Sequence, residues 1–283
     1  MKSEDPEPAP TRHGSRGIAV VAAVNNDSIL QRDLASSPLI SEGHTRLIIE
    51  RGHDSAASAL NSGLDRADED LVVFAHQDVY LPRGWERRLN AAVDALEVEG
   101  NPWAILGVAG VDESGTFAGR IYSSGLRREY GIPLPSPLPI VSLDEALIVL
   151  RKSSGLRFDE SLPGFHLYGT DIVQTAILNG LGAYVFDGPI IHNSKPELSH
   201  FWAYGRTYRS MQRKWRRHLP IPTNNALITR AGLPLLRMRI HTVRRLVLRI
   251  DPPGSGHPDP VALARDLGYE AAGTADPSDD RIS

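Results

Sequence analysis

The first hundred residues alternate short apolar runs with stretches of helical periodicity, and this alternation restricts the chain to few folds. The apolar runs are continuous and rich in Val, Ile and Ala, as expected for strands that are covered on both faces; they occupy residues 18–24, 45–49 and 71–75. Apolar residues at helical spacing follow each run, at 29–35, 55–67 and 85–96. A β-α-β-α-β-α order predicts an α/β fold in which helices flank a mostly parallel central sheet.

Further strands are predicted at 104–111 and 141–150, and a helix at 171–181. We predict four segments: a disordered leader at 1–16, an α/β domain at 17–197, a basic helical extension at 198–251, and a largely disordered tail at 252–283. The leader and tail are rich in Pro and charge, and a short helix is predicted near 261–267. No apolar run is long enough to cross a membrane.

Two features of composition limit the function. The chain has no cysteine, which excludes a disulfide framework, a zinc-thiolate site and a cysteine nucleophile, and fits a cytoplasmic location. Residues 198–249 contain twelve Lys and Arg but no Asp or Glu.

Three interpretations of this basic region stay open. The first is a solvated helical extension. The second is docking on an anionic membrane at the inner face of the cell, with Arg residues against lipid phosphates. Nucleic-acid binding is the least favoured, because no recognised nucleic-acid motif accompanies the charge. The apolar residues available to a bilayer or to a core are Leu235, Leu236, Ile240, Val243, Leu246, Val247 and Ile250.

Polar side chains follow the apolar run at 71–75. His76, Gln77 and Asp78 come directly after it, and the carboxyl ends of parallel strands are where open α/β sheets bind ligands. Asp78 has no Lys or Arg beside it in the sequence, so a divalent cation would be a suitable partner. The alternative is an aspartate that caps the following helix.

Two later segments also place polar residues next to apolar ones. Residues 158–171 contain His166 and Asp171, and His192 follows Ile190 and Ile191. Taken alone, Asp171 is equally well explained as a helix N-cap, and a single histidine at a strand end is more often structural than a ligand.

The order of these segments resembles the family 2 glycosyltransferases of the GT-A fold, and within them the streptomycin-biosynthesis-type subgroup. The similarity covers roughly residues 17–193, and its most distinctive parts are 74–79 (FAHQDV) and 164–171 (GFHLYGTD). The other matching segments are 20–27, 57–63, 147–152, 157–160, 182–185 and His192.

The resemblance implies a metal site and a catalytic base. The family's acidic metal motif falls on His76-Gln77-Asp78, where His76 replaces the usual first carboxylate, and His192 matches the late histidine. These residues would hold Mn²⁺ or Mg²⁺. Asp171 matches the catalytic carboxylate, which here follows Thr170 instead of the usual Glu.

The resemblance also implies a UDP- or GDP-linked sugar donor and a carbohydrate, lipid-linked or small-molecule acceptor. The transfer would be a single displacement with inversion. Nucleotide-sugar contacts would come from Val24, Asn25, Asn26, Glu50, Asn61, Gln77 and Asp78. Contacts to the donor or acceptor sugar would come from Asp144, Glu145, His166, Tyr168 and Thr170, although Asp144 is equally well explained as a turn residue.

Two other functions remain open. One is an inactive module that still binds a nucleotide-sugar, because His76 and Thr170 depart from the family pattern. The other is a nucleotidyltransferase, but the turn at residues 25–28 (NNDS) lacks the Gly, Lys or Arg that usually bind the phosphates there.

Overall fold

The computed structural model describes residues 16–194, 200–247 and 256–270. The leader predicted at 1–16 therefore lies almost wholly outside the described residues, as does the part of the predicted tail from 271 onward. Within the described ranges, strands and helices alternate in the predicted order up to residue 99.

The strands are β1 Ile18–Ala23, β2 Arg46–Glu50, β3 Leu71–Ala75, β4 Val79–Tyr80, β5 Trp103–Gly107, β6 Ala109–Val111, β7 Phe117–Ser123, β8 Arg128–Gly131, β9 Leu138–Pro139, β10 Ser142–Leu143, β11 Leu147–Arg151, β12 Gly182–Val185 and β13 Ile190–His192. The helices are α1 Asp27–Arg32, α2 Pro38–Ser41, α3 Ala56–Arg66, α4 Trp85–Glu99, α5 Tyr168–Leu178, α6 His200–Lys214, α7 Leu233–Val247 and α8 Pro260–Asp266. Short 3₁₀ helices occupy Leu34–Ser36 and Lys152–Ser154.

The central sheet has seven strands in the order β2-β1-β3-β11-β5-β12-β9. Strand β1 is parallel to β2 and β3, and β12 is parallel to β5. Because β11 is antiparallel to both β3 and β5, those two strands run the same way. Five of the seven strands are therefore parallel, and the predicted α/β class with a mostly parallel sheet is confirmed.

Two predicted strands are each divided in the structure. The strand predicted at 104–111 becomes β5 in the central sheet and β6 in a second sheet, whose order is β10-β6-β7-β13-β4. The chain changes sheets beside Gly107, where an added Cβ would lie 2.2 Å from Leu143. The strand predicted at 141–150 becomes β10 and β11, with Asp144 and Glu145 between them.

The central sheet is covered on both faces, as its continuous apolar runs require. Val20 and Val73 belong to the hydrophobic cluster that includes α4, whereas Val21 and Phe74 belong to the cluster that includes α3 and α5. A third cluster joins α6 to α7 and to the segment that precedes α5.

The C-terminal segment packs on the second sheet. The short helix predicted near 261–267 is present as α8, and Ala264 and Tyr269 pack against Tyr80 and Ile191. Asn193 fixes the start of this segment: its Nδ2 donates to the carbonyl of His257 (2.9 Å), and its Oδ1 accepts from the backbone N–H of His257 (2.5 Å).

Replacing Asn193 by Ala is expected to lower the free energy of unfolding by about 2–3 kcal/mol. Asn193 is 1% exposed, and its Nδ2 also donates to the fully buried carboxylate of Asp33 (2.7 Å). The substitution leaves that oxygen and two backbone groups of His257 without this partner. Urea unfolding measures the loss, and Asn179→Ala, on the exposed end of α5, is the control. Equal stabilities of the two variants would contradict the prediction.

Candidate functional site

The carboxyl ends of β1 and β3 are tied together by one side chain. The Oε1 of Gln77 accepts from the backbone N–H groups of Asn25 (3.1 Å) and Asn26 (3.0 Å), and its Nε2 donates to Asn25 Oδ1 (2.6 Å). Asn26 Oδ1 in turn accepts from the N–H of Ile29 and caps α1. These three residues therefore form an exposed polar rim at the edge of the sheet where nucleotides bind in α/β folds.

Strand pairing brings His192 to Asp78. Strand β13 is antiparallel to β4, with His192 opposite Val79, and the N–H of Asn193 donates to the carbonyl of Asp78 (2.7 Å). The Nε2 of His192 consequently lies 3.5 Å from Asp78 Oδ1. The alternative that Asp78 caps the next helix is wrong, because the N-cap of α4 is Gly84.

His76 completes a three-residue cluster. One ligand atom each from His76, Asp78 and His192 lies within 4.8 Å of the other two, and the two imidazole rings are 5.6 Å apart. All three residues are half-buried. Two imidazole nitrogens and a carboxylate oxygen are a suitable ligand set for a divalent metal ion, and the imidazoles suit a first-row transition ion better than Mg²⁺.

The charges of this cluster favour an ionised aspartate. Burial by itself would raise the pKa of Asp78, but the imidazole of His192, and then that of His76, hold the pKa well below its usual range. Burial would lower the pKa of His192, but the Asp78 carboxylate raises it above its ordinary value. Asp78 is therefore available as an anionic ligand throughout the physiological pH range.

Tyr168 connects this cluster to α5. Its hydroxyl lies 2.9 Å from His76 Nε2 and donates to the carbonyl of Glu145 (3.2 Å). Asp171 lies three residues further along the same helix, and residues three apart are neighbours on one helix face. The predicted base thus lies one helical turn from a residue that touches the predicted metal site.

Helix α5 begins earlier than predicted. Its N-cap is Leu167, at a left-handed φ of 61°, and Tyr168 is its first residue. Asp171 lies inside the first turn, so the alternative that it caps this helix is wrong. Gly169 allows the helix to approach strand β10, because a Cβ there would lie 2.9 Å from the carbonyl of Leu143.

The carboxylate of Asp171 is buried and bound by α6 and the residue after it. Oδ1 accepts from the indole N–H of Trp215 (2.7 Å), and Oδ2 accepts from Lys214 Nζ (2.8 Å), which also donates to Asp159 (2.6 Å). Burial raises the pKa of Asp171, and Lys214 and Trp215 oppose that rise. A carboxylate with a raised pKa is a better proton acceptor than an ordinary aspartate.

Two predicted nucleotide contacts have structural roles. Asn61 is 4% exposed, and its amide group bonds the backbone N–H and C=O of Phe158 and the carboxylate of Glu160. Glu50 is 6% exposed and pairs with Arg66 (2.7 Å) and His53 (3.0 Å). A nucleotide role for the Asn61 and Glu50 side chains therefore has no support in this geometry.

Val24 contributes backbone and packing rather than a polar side chain. Its N–H donates to the carbonyl of Glu50 (2.8 Å), and its side chain is buried beside the turn that carries Asn25. It therefore fixes the base of the polar rim.

The residues predicted to contact a sugar fall into two groups. Asp144 and Glu145 join β10 to β11, and burial, followed by the charge of Asp144, raises the pKa of Glu145 to about 8. Asp144 Oδ1 accepts from the N–H of Ala146 (2.9 Å), as a turn residue would, and Oδ2 accepts from Asn224 (3.1 Å). These two carboxyl groups lie beside Tyr168.

The second group lies at the start of α5. His166 is half-buried with its ring 5.8 Å from that of Tyr204, and Thr170 is 1% exposed. Thr170 therefore has little surface for a sugar, whereas His166 remains accessible.

Sequence reasoning did not relate Lys214 or Trp215 to Asp171; Trp215 was expected to pack in a core or interface, or to line an acceptor groove. Both lie in the basic region, where Lys214 was one of twelve cations with no feature to distinguish it. The only signal was the Lys-Trp pair, a cation next to an indole N–H, and nothing in the sequence relates it to Asp171.

No protein-family model matches this chain. A curated protein from Fuscovulum blasticum, described as "ATP synthase subunits region ORF 6", is 29% identical over 167 residues. The aligned part is 56% of this chain and 64% of that protein, so the chain spans less than two thirds of the relative's length.

Three solved structures are similar to the chain. GalNAc-T7 with UDP, GalNAc and Mn²⁺ has a TM-score of 0.47 at 11% identity, over 71% of this chain and 48% of that one. S. aureus TarS 1-349 with UDP-GlcNAc has a TM-score of 0.47 at 13% identity, over 72% and 67%. The mannosyltransferase PcManGT from Pyrobaculum calidifontis, with GDP-Man and Mn²⁺, has a TM-score of 0.46 at 15% identity, over 85% and 73%.

Proposed function

We propose that this protein is a metal-dependent inverting glycosyltransferase of the GT-A type. One observation carries the proposal: α5 connects the His76-Asp78-His192 cluster, through Tyr168, to the buried carboxylate of Asp171. A proton acceptor thus lies one helical turn from Tyr168, whose hydroxyl contacts the proposed cation-binding group. A general base and a bound cation would each lower the barrier to sugar transfer from a nucleotide diphosphate to a hydroxyl.

The donor side of the reaction depends on the polar rim and the cluster. Asn25, Asn26 and Gln77 present amide groups that suit a nucleoside, and His76, Asp78 and His192 would hold Mn²⁺ or Mg²⁺. When bound, the cation would offset the negative charge of the departing diphosphate. We propose UDP- or GDP-linked sugars as the donors.

The acceptor side depends on Asp171. A carboxylate oxygen has more than one lone pair, so Asp171 has sites left to accept an acceptor hydroxyl beside its bonds to Lys214 and Trp215. Its side chain is 2% exposed, so the end of α6 would have to move aside to admit the acceptor. As the acceptor oxygen bonds to the anomeric carbon, its proton passes to Asp171 and the bond to the diphosphate breaks. Attack from the side opposite the leaving group inverts the anomeric centre. The acceptor is proposed as a carbohydrate, a lipid-linked molecule or a small molecule, in the cytoplasm.

Hydrolysis of the donor tests the proposal, because it needs no acceptor. UDP- and GDP-sugars are incubated with the protein, with and without Mn²⁺. Release of the free nucleoside diphosphate is measured, and NMR reports the first anomer of the sugar that appears. We expect Mn²⁺-dependent release and an inverted anomer. Binding of the donor without release of the nucleoside diphosphate would instead indicate an inactive module. In a separate incubation with a nucleoside triphosphate and a sugar phosphate, release of pyrophosphate would indicate a nucleotidyltransferase.

Replacing Lys214 by Met is expected to move the acidic limb of the pH–rate profile to higher pH by about one unit or more. Asp171 acts as a base only when ionised, and Lys214 opposes the rise in its pKa that burial causes. Without the ammonium group, the pKa of Asp171 rises further, so activity falls most at acidic pH and recovers as pH increases.

The rate of donor turnover across pH measures this shift. Lys214→Arg keeps the positive charge and is the matched control, with a profile close to that of the wild type. An unchanged profile in the Lys214→Met protein would show that this lysine has only a structural role.

A further inference from the structure

Helix α7 has an exposed apolar stripe. The exposed fractions are 57% for Leu233, 53% for Leu236, 61% for Ile240 and 49% for Val243. At about 100° per residue, these four side chains fall within about 80° of the helix circumference. Four large apolar side chains aligned on one helix face mark an interaction surface.

The opposite side of α7 is already packed. Leu235 is 6% exposed and Met238 is partly buried, and both contact the cluster formed by α6 and the loop that follows it. The sequence alone left open whether Leu235 faces core or bilayer, and the structure places it in the core. The stripe is therefore not the packing face of the helix.

Arginines border this stripe. Arg237 and Arg244 are both exposed and lie within about 60° of Ile240 around the helix axis. Neither has an ion-pair partner within the described part of the chain. Residues 198–249 contain no Asp or Glu, so no acidic group of this segment neutralises Arg237 or Arg244.

We propose that α7 lies in the headgroup region of an anionic lipid bilayer, with Leu233, Leu236, Ile240 and Val243 inserted and Arg237 and Arg244 on the lipid phosphates. An apolar stripe with a cationic border is the pattern of interfacial helices. Within the described ranges, no helix has both the length and the apolar character needed to span a bilayer. The proposed attachment is interfacial, and it holds whether or not the protein transfers a sugar.

Two other occupants fit less well. The phosphates of a nucleic acid would pair with the arginines but would not cover the apolar stripe. Helix α7 also has no Phe, Tyr or Trp on which bases could stack. A second copy packed on the same face would bring its own arginines close to these, since symmetric interfaces place identical patches together. Residues 198–249 contain no carboxylate to relieve that repulsion.

Vesicle sedimentation of the full chain tests the proposal. We expect binding to vesicles of phosphatidylcholine mixed with phosphatidylglycerol, little binding to phosphatidylcholine alone, and release at high salt. The double variant Leu236→Ser, Ile240→Ser should bind at least about tenfold more weakly. Arg237→Gln with Arg244→Gln should weaken binding by about tenfold or more.

Matched controls lie on α4. Val98 is 88% exposed and Arg87 is exposed, so Val98→Ser and Arg87→Gln change the same chemistry outside α7 and should bind like the wild type. Circular dichroism checks that each variant is folded. The proposal is overturned if the wild type does not bind anionic vesicles, or if the stripe variant binds as the wild type does. It is also overturned if the stripe variant abolishes a dimer, or if the protein binds an RNA or DNA duplex instead of vesicles.

Discussion

Replacing Asp171 by Asn is expected to lower sugar transfer by about 10²–10⁴-fold, the range over which a general base accelerates proton transfer. Asparagine has nearly the same shape but takes no proton at neutral pH. Donor binding should persist, because the polar rim and the His76-Asp78-His192 cluster are unchanged. Turnover and donor affinity are measured separately, the first by product release and the second by calorimetry.

The same substitution has a structural cost that must be measured. Asp171 accepts from both Lys214 and Trp215, whereas an asparagine offers only one oxygen and points an N–H₂ at the other donor. We expect the free energy of unfolding to fall by about 1–3 kcal/mol. Thermal unfolding shows whether the variant is folded at the assay temperature, so that a loss of activity is not confused with a loss of fold.

Asp159→Asn is the matched control. Asp159 shares the Lys214 ammonium with Asp171 (2.6 Å and 2.8 Å) but is more exposed. This variant breaks one ion pair of Lys214 and leaves the proposed base in place, so turnover should fall far less. Full turnover by the Asp171→Asn protein would show that Asp171 is not the base. Asp144 and Glu145, beside Tyr168, would then be the candidate bases.

The part of the fold before residue 100 could be predicted because its signals are local. The apolar runs of β1 and β3 are buried on both faces, and two of the helices that follow a strand have side-chain caps, Asn26 for α1 and Ser55 for α3. The predicted boundaries are correct to within a few residues for β1, β2, β3, α3 and α4.

The divided strands could not be predicted, because their ends depend on distant contacts. The apolar run at 104–111 has no polar residue to mark the change of sheet, and the contact found there, Leu143 against Gly107, joins residues far apart in the sequence. For the same reason the start of α5 was misplaced: Leu167 ends the preceding loop in a left-handed conformation without a side-chain cap, and nothing in its chemistry signals that.

Some residues of the candidate site could likewise be predicted from the sequence, and others could not. Asp78 and His192 stand out because a polar group follows an apolar run, and the order of the motifs related them. Lys214 and Trp215 do not stand out, because a Lys on a basic helix usually faces water. Only the packing of the end of α6 against α5 shows that this lysine is bonded to Asp171.

Replacing Asp78 by Asn is expected to weaken Mn²⁺-dependent binding of UDP or GDP by about 100-fold or more. Changes in outer-shell groups already cost about 10–100-fold in metal affinity, and Asp78 is the only carboxylate of the three-residue cluster. Its negative charge is also what raises the pKa of His192, so the variant changes both the charge and the ligand set. Calorimetry with each nucleotide, with and without Mn²⁺, measures the effect.

Asp65→Asn is the matched control, because Asp65 is an exposed carboxylate paired with Arg157 on the surface of α3 (2.6 Å). A second variant, His192→Gln, alone and combined with Asp78→Asn, shows whether the two side chains bind the same cation. If Asp78 and His192 hold one cation, the double variant should bind nucleotide hardly worse than either single variant, since the ion is lost at the first step. Additive losses would mean that the two side chains act independently. Nucleotide binding that ignores both Mn²⁺ and Asp78 would leave the cluster as an Asp-His pair that only joins β4 to β13, and the metal-dependent mechanism would then lack its cation site.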